Sequence, residues 1–287
     1  MPSTTITVLI ENTAAVPGLQ VQHGLSLWVE AGQEHLLLDT GQDGSFLQNA
    51  GALGIDLSST TQLLLTHGHY DHTGGVPALL ASGVTPEVTV HPRAWEARVS
   101  SRPPEPPRAI GIPWSRASLD ASRVAWHTTG VARELAPGIW STGSIPHVMG
   151  LPASPGLQRQ AGDAWRMDDF PDEQSLVLVT AWGLVVLTGC CHTGVLNTLL
   201  TAQRITGIPQ IHALIGGLHL HAWADDAVVE LARDLQAYRL RHLWVNHCTG
   251  PRAFEILREV MGERVVWAGT GTRMELPPLM TGSGDGG

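Results

Sequence analysis

Three histidines and one aspartate fall within six consecutive positions, His67, His69, Asp71 and His72, in the run Thr66-His67-Gly68-His69-Tyr70-Asp71-His72-Thr73-Gly74-Gly75. Neutral imidazole nitrogen and carboxylate oxygen are ligands that zinc, iron and manganese accept, so this spacing predicts a metal site. A lone histidine on an apolar strand would be read as packing; four ligand-type residues together would not. Gln62-Leu63-Leu64-Leu65 reads as a buried strand running straight into the cluster. Alternate residues just past a strand end point the same way, so His67 and His69 can reach one ion. Asp71 and His72 lie beyond the bend at Tyr70 and can reach a second. Two ions roughly 3.5–4 Å apart would then share the cluster, as in two-metal hydrolases.

Other segments repeat the theme of an apolar run ending in polar residues. They are Leu36-Leu37-Leu38-Asp39-Thr40-Gly41, Leu187-Thr188-Gly189-Cys190-Cys191-His192 and Asn246-His247-Cys248-Thr249-Gly250. In this order around the first cluster, they resemble the metallo-β-lactamase superfamily. Finer features are Asp39-Thr40-Gly41-Gln42, His69-Tyr70-Asp71-His72-Thr73-Gly74-Gly75, Gly189-Cys190-Cys191-His192-Thr193-Gly194, Gly216-Gly217-Leu218-His219-Leu220 and His247-Cys248-Thr249-Gly250. Together these are similar to the dihydropterin ribofuranosylaminobenzene-phosphate synthase-like branch, a group of metal-dependent hydrolases. The resemblance runs over residues 5–270 or so.

The resemblance implies an α/β fold, an αββα sandwich of two mixed sheets flanked by helices. It implies two divalent metal ions, zinc in the first instance, with manganese or iron as alternatives. His67 and His69 would hold the first ion, and Asp71, His72 and His247 the second. Most superfamily members carry an aspartate where this chain has Cys190. A thiolate can bridge two ions, and its softness favours zinc or iron over magnesium. Alternatively Cys190 stays out and His192 supplies the third nitrogen of the first site. His219 is open to three readings: ligand, substrate contact or structural residue. His147 follows Ile145-Pro146, where relatives often carry Arg; a histidine there holds an anion only when protonated. Asp39 would orient a ligating imidazole and fix its tautomer, which is compatible with a turn role beside Thr40-Gly41. His91 is a weaker candidate for supporting a ligand. His23, His35, His127, His212 and His242 are assigned to surface or core packing.

The elements that must position these groups alternate along 287 residues, read as one domain over 1–279 with a disordered tail over 280–287. Short apolar strands, a helix over Ser45–Leu53 ending at Gly54, and another over Gly75–Ala81 occupy the first part. In the second part, strands near residues 175–188, 212–215, 243–245 and 265–267 alternate with helices over 195–205, 224–238 and 253–261. Residues from about 100 to 120, with Pro103, Pro104, Pro106 and Pro107, and the stretch Pro146–Asp172 are expected to be irregular.

Composition narrows the partners. Net charge is −9 and every one of the 17 basic residues is Arg. An acidic chain does not favour nucleic acid or an anionic membrane surface. The absence of lysine removes Schiff-base chemistry and leaves arginine as the only permanent cation. No apolar run approaches a membrane span and the N-terminus lacks a signal-peptide pattern, so a cytoplasmic location is expected. The three cysteines, Cys190, Cys191 and Cys248, sit beside candidate ligands and do not form a disulfide framework. The functional expectation is a binuclear metal-dependent hydrolase. It would activate water against a small anionic substrate, a phosphoester first, with Asp71 as the catalytic carboxylate. The alternatives are a mononuclear iron oxidoreductase acting on thiols or persulfides, and a binding protein for a pterin-like metabolite with little activity.

Overall fold

A computed structural model describes residues 3–119, 124–150, 152 and 154–280. Its core is built by strands whose successive side chains face opposite ways. Leu36 and Leu38 point to one apolar cluster while Leu37, between them, points to another. Val185 and Leu187 likewise part from Leu184 and Val186. Strands apolar on both faces must be covered on both, and this requirement sets the layers.

Two mixed seven-stranded sheets pack face to face. The first has the spatial order Arg273–Leu276, Thr4–Ile10, Ser26–Ala31, Glu34–Leu38, Gln62–Leu64, Glu87–Val90, Trp126–Thr128. The second runs Val265–Trp267, His242–Val245, Ile211–Gly216, Gly183–Thr188, Leu176–Thr180, Ile139–Ser141, Arg133–Ala136. Between them lies a core that includes Ile6, Val8, Leu27, Leu64, Leu178 and Ile215. Helices Ser45–Ala52 and Val76–Ala81 cover the outer face of the first sheet through Phe46, Ala50, Val76 and Leu79. Helices Val195–Thr206, Asp225–Ala237 and Pro251–Met261 cover the second. Pro251 opens its helix where the missing N–H costs nothing, and Asp225 and Asp226 face the positive end of theirs. The result is an αββα sandwich.

Four strands of each sheet run parallel: 34–38, 62–64, 87–90 and 126–128 in the first, 183–188, 211–216, 242–245 and 265–267 in the second. Ligands of such sheets bind beyond the carboxyl ends of parallel strands. Asp39, His67, Cys190, His219 and His247 all lie within a few residues of such an end.

The stretches expected to be irregular depart from that reading. Leu157–Ala161 and Ala164–Met167 form a hairpin, which pairs with Arg98–Ser100, and that strand with Arg108–Ala109, giving a small third sheet. The turn is Gly162-Asp163, with Gly162 at φ 62°, a two-residue hairpin signal that the surrounding prolines and polar residues obscured. At the other end, Met280 is anchored, its N–H donating to Val179 O at 2.9 Å. The rest of the expected tail, 281–287, lies outside the described residues.

Candidate metal centre

The strand 62–64 delivers Thr66 beside Asp39, which follows the neighbouring parallel strand. Thr66 N and Oγ1 donate to the two Asp39 oxygens, each at 2.7 Å. His72 Nδ1 lies 2.6 Å from Asp39 Oδ2. A ring nitrogen against a carboxylate carries a proton, so His72 Nε2 is the nitrogen left to bind a cation, and it is aimed into the site. Thr66 Oγ1 also sits 3.0 Å from His67 Nδ1. The hydroxyl has already given its one proton to Asp39, so His67 Nδ1–H is the donor and His67 Nε2 is bare. His247 follows the strand 242–245; its Nδ1 lies 3.0 Å from Asn12 Oδ1, and its N–H donates to Glu11. That leaves His247 Nε2 bare as well.

These nitrogens meet one another. His72 Nε2 and His247 Nε2 are 3.3 Å apart, and His72 Nε2 is 3.2 Å from Cys190 Sγ. His67 Nε2 is 3.0 Å from His69 Nδ1. His67, His69 and His192 place one donor atom each within 4.8 Å of one another, as do His67, His72 and Cys190. Cys190 also groups in this way with His192 and His219, and again with His247 and Cys248, so its thiol stands at the centre of the array. Asp71 Oδ2 lies 3.5 Å from His247 Nε2 and 3.9 Å from His72 Nε2. Both nitrogens of His192, His69 Nε2 and His219 Nδ1 are buried without a hydrogen-bond partner among the described residues. Buried polar atoms are almost always paired. Ring nitrogens, a thiol and a carboxylate crowded at such distances fit a cation, and the nitrogen, sulfur and carboxylate set suits zinc or iron.

His192 is held by other means. Its ring stacks on Phe170, with centroids 4.0 Å apart and planes 3° from parallel. Its N–H and that of Thr193 donate to the Glu173 carboxylate, each at 2.6 Å. Asp39, Phe170, Cys191, His219 and His247 all adopt left-handed backbone conformations. Such conformations are costly for residues with a side chain, and they gather at functional sites. The loop Gly68–His69 is clamped from the third sheet: Gly68 N donates to Asp172 Oδ2 at 2.8 Å, and Arg98 binds Asp172 and Asp168. A Cβ at Gly68 would sit 2.1 Å from Ala94 O, so only glycine fits this approach.

Electrostatics follow burial. Desolvation, reinforced by neighbouring rings, holds His67 and His192 well below the ordinary histidine value. Desolvation does the same to His69 against the pull of Asp71, and it pushes His247 down to about 4. Burial also opposes charge on His72, but Asp39 and Asp71 outweigh it and push that ring up to about 9, so in the ion-free protein Nε2 also takes a proton near neutral pH, which a bound cation would displace. Asp71 is held below the usual carboxylate range: burial acts against its charge and the surrounding His72, His23 and His247 prevail.

A cavity of about 420 Å³ opens onto this cluster, lined by His69, Asp71, Cys190, His192, His219 and His247 among others, with Arg102 and Arg108 from the third-sheet segment. A larger one, about 700 Å³, lies around Arg239–His242, at the amino end of the strand that carries His247, so it is at the opposite pole from the chemistry. His147 is exposed and is not part of the cavity lining, so the expected anion contact is not brought to the site. His91 accepts from Arg93 N and lies 2.9 Å from Ser144 Oγ, ending its strand as a turn cap. His23, read as packing, instead places Nε2 3.2 Å from Asp71 Oδ2 at the cavity rim. Asn12, Phe170 and Glu173 were missed as well. Only Glu173 left a signal, an acid-rich run, Asp168-Asp169-Phe170-Pro171-Asp172-Glu173, placed just before a buried strand.

The fold and this centre define a metallo-β-lactamase-type protein. The family model described as the metallo-beta-lactamase superfamily matches residues 19–147. The chain superposes on a solved metal-dependent hydrolase of the beta-lactamase superfamily, Tm1679, with a TM-score of 0.83 and 28% identity over 96% of this chain and 99% of that one. The chain thus matches the metallo-β-lactamase superfamily model over residues 19–147 and has a metallo-β-lactamase-like fold over nearly its whole length. Among curated relatives it is similar to the 7,8-dihydropterin-6-methyl-4-(beta-D-ribofuranosyl)-aminobenzene-5'-phosphate synthase of Methanocaldococcus jannaschii, 26% identical over 84% of this chain and 86% of the relative. A diphosphatase of the PhnP family shares the fold, with a TM-score of 0.56 at 15% identity over 97% of this chain and 99% of that one. No helix among the described residues is long and apolar enough to cross a membrane.

Proposed function

We propose that this protein is a binuclear metal-dependent hydrolase acting on a small phosphoester. The observation that carries this reading is the convergence of imidazole nitrogens: His67, His69 and His192 on one side, His72 and His247 with Asp71 on the other, and Cys190 between. His67, His69 and His192 would hold one divalent ion; Asp71, His72 and His247 would hold the second. Cys190 stands where it can reach both groups. When bound, such ions supply Lewis acidity toward water and toward the electrophile. The chain supplies the rest. Asp39, Thr66 and Asn12 fix the tautomers of His72, His67 and His247 and so aim their free nitrogens. Asp71, kept ionised by its histidine neighbours, orients attacking water and accepts its proton. His23 steadies that carboxylate from the rim. The phosphoester class is supported by Arg102 and Arg108 at the cavity, since guanidinium matches phosphate geometry, and by the 5'-phosphate in the name of the M. jannaschii relative.

The test joins metal analysis to an assay of chromogenic phosphodiesters. Two zinc or manganese ions per chain with phosphodiesterase activity, both lost in His69→Ala, are expected. Unchanged metal content and activity in His69→Ala would remove the proposal. A coloured protein with one iron per chain and thiol or persulfide oxidation would replace it with the oxidoreductase reading. Tight binding of a pterin-like compound without turnover would replace it with the binding-protein reading.

A further inference from the structure

Two pairs of neighbouring residues reach the metal centre from different sheets. Glu11 and Asn12 follow the strand Thr4–Ile10 of the first sheet, and Asp172 and Glu173 precede the strand Leu176–Thr180 of the second. The three carboxylates are fully buried, and each meets donors on a loop that carries candidate ligands. Asp172 Oδ2 accepts from Gly68 N, the residue between His67 and His69, at 2.8 Å. Glu173 Oε1 accepts from His192 N, and Oε2 from Thr193 N and Oγ1, all at 2.6 Å. The three imidazoles on one side of the centre, His67, His69 and His192, therefore depend on one dipeptide. On the other side, Glu11 Oε2 accepts from His247 N at 3.2 Å, and Asn12 Oδ1 lies 3.0 Å from Nδ1 of the same residue. Glu11 Oε1 accepts from Thr13 N at 2.7 Å, from Thr13 Oγ1 and from Trp267 Nε1, which ties the His247 loop to the first strand of the chain. Both loops need such ties. His247 and Cys191, which precedes His192, hold left-handed backbones at φ 49° and 62°, and residues with side chains keep that conformation only where their surroundings over-determine it. Both oxygens of each glutamate act as acceptors. A glutamine of nearly the same volume would turn an NH2 toward a donor, releasing the loop without emptying the space.

From this arrangement we infer that Asp172-Glu173 and Glu11-Asn12 are separate positioning clamps, one for each ion. Asp172 and Glu173 set the affinity of the ion at His67, His69 and His192; Glu11 and Asn12 set that of the ion at Asp71, His72 and His247. The inference rests on the proposed binuclear centre. It deepens that reading by making the two affinities independent of each other. None of the three carboxylates lines the cavity, so they act through the ligand loops and not on the substrate.

Stepwise cobalt binding tests this apart from turnover. Chelator-treated full-length protein would be titrated with Co²⁺ in competition with a chromogenic chelator, and the visible absorption bands read at each step. The unaltered chain is expected to take up two ions. Glu173→Gln should weaken one of them about 10–100-fold, the range for removing a partner that orients a metal ligand, and leave the other unchanged. Glu11→Gln should weaken the other alone. The bands affected by Glu173→Gln should be those that His192→Ala removes, and the bands affected by Glu11→Gln those that His247→Ala removes. Asn12→Ala should act as Glu11→Gln does, and Asn12→Asp, which keeps an acceptor for His247 Nδ1, should restore most of the loss. In the double variant Glu173→Gln/Glu11→Gln the two effects should add. Thr193→Val removes one donor and keeps both backbone N–H groups; it should weaken the same ion as Glu173→Gln by a smaller factor, and it serves as the test if Glu173→Gln does not fold. Two ions that weaken together in each variant, or in none, overturn the clamps and leave the binuclear reading standing. A single ion per chain before any substitution overturns the binuclear reading and the division between the clamps with it. Selective weakening without phosphodiester hydrolysis keeps the clamps and removes the phosphoesterase reading.

Discussion

The loop 66–72 and the loop 190–193 contribute to the same centre in opposite ways. In the first, rings are pinned from outside: His67 by Thr66, His72 by Asp39, and Thr66 itself twice by Asp39. In the second, His192 has neither nitrogen paired and is held by a stack on Phe170 and by its backbone bonds to Glu173. Pinned rings keep their free nitrogens aimed before any ion arrives. The stacked ring is shaped to wait for one, at a cost to the metal-free protein. The centre is thus half pre-organised and half dependent on the ion it binds.

Breaking the pinned half should have the largest effect. Asp71→Asn should lower kcat about 10²–10⁴-fold, the range for losing a positioned acid–base group, measured at saturating substrate and metal. Asp39→Ala should reduce metal affinity about 10–100-fold, read by competition with a chromogenic chelator, because His72 and Thr66 lose the carboxylate that aims them. The stacked half should respond with the opposite sign in stability. His192→Phe should stabilise the chelator-treated protein by about 1–3 kcal/mol while weakening metal binding, since it replaces an unsatisfied buried ring by an apolar one. A lower melting temperature in chelator would show that His192 is satisfied without the ion, and the contrast between the loops would dissolve.

Titration sharpens the same contrast. The folded value of His72 is raised to about 9, so its stabilising contribution is complete below the ordinary 6.5 and is lost as pH rises toward 9. His67, His69, His192 and His247 are held below 6.5, so their burial is favourable above that value and is lost as pH falls through it. Chelator-treated protein should therefore melt highest near neutral pH, with a steeper decline on the acid side, where four rings must charge, than on the alkaline side, where one discharges. The smallest effect should come from His147→Ala. That exposed residue stands apart from both loops, and its loss should move stability by no more than about 0.5 kcal/mol and leave metal affinity unchanged.

Much of this was written in the sequence. His67, His69, Asp71 and His72 lie within a single turn of chain, and the apolar runs before Asp39, His67, Cys190 and His247 specify buried strands whose ends present them. Local hydrophobic pattern sets those strands, and ligand chemistry sets what the residues after them can do. What the chain order could not settle depends on approach across the sandwich. Asn12 meets His247, 235 positions further along the chain, and Glu173 reaches His192 from the loop before the strand 176–180. His23 becomes a partner of Asp71 only because the first sheet folds its loop over the rim. The third sheet, and with it Arg102 at the cavity, arises from pairing between segments nearly sixty residues apart, Arg98–Ser100 with Leu157–Ala161. Spacing along the chain determined which residues could bind a cation; only packing decided which of them are aimed, which are left unpaired, and what lies beside them.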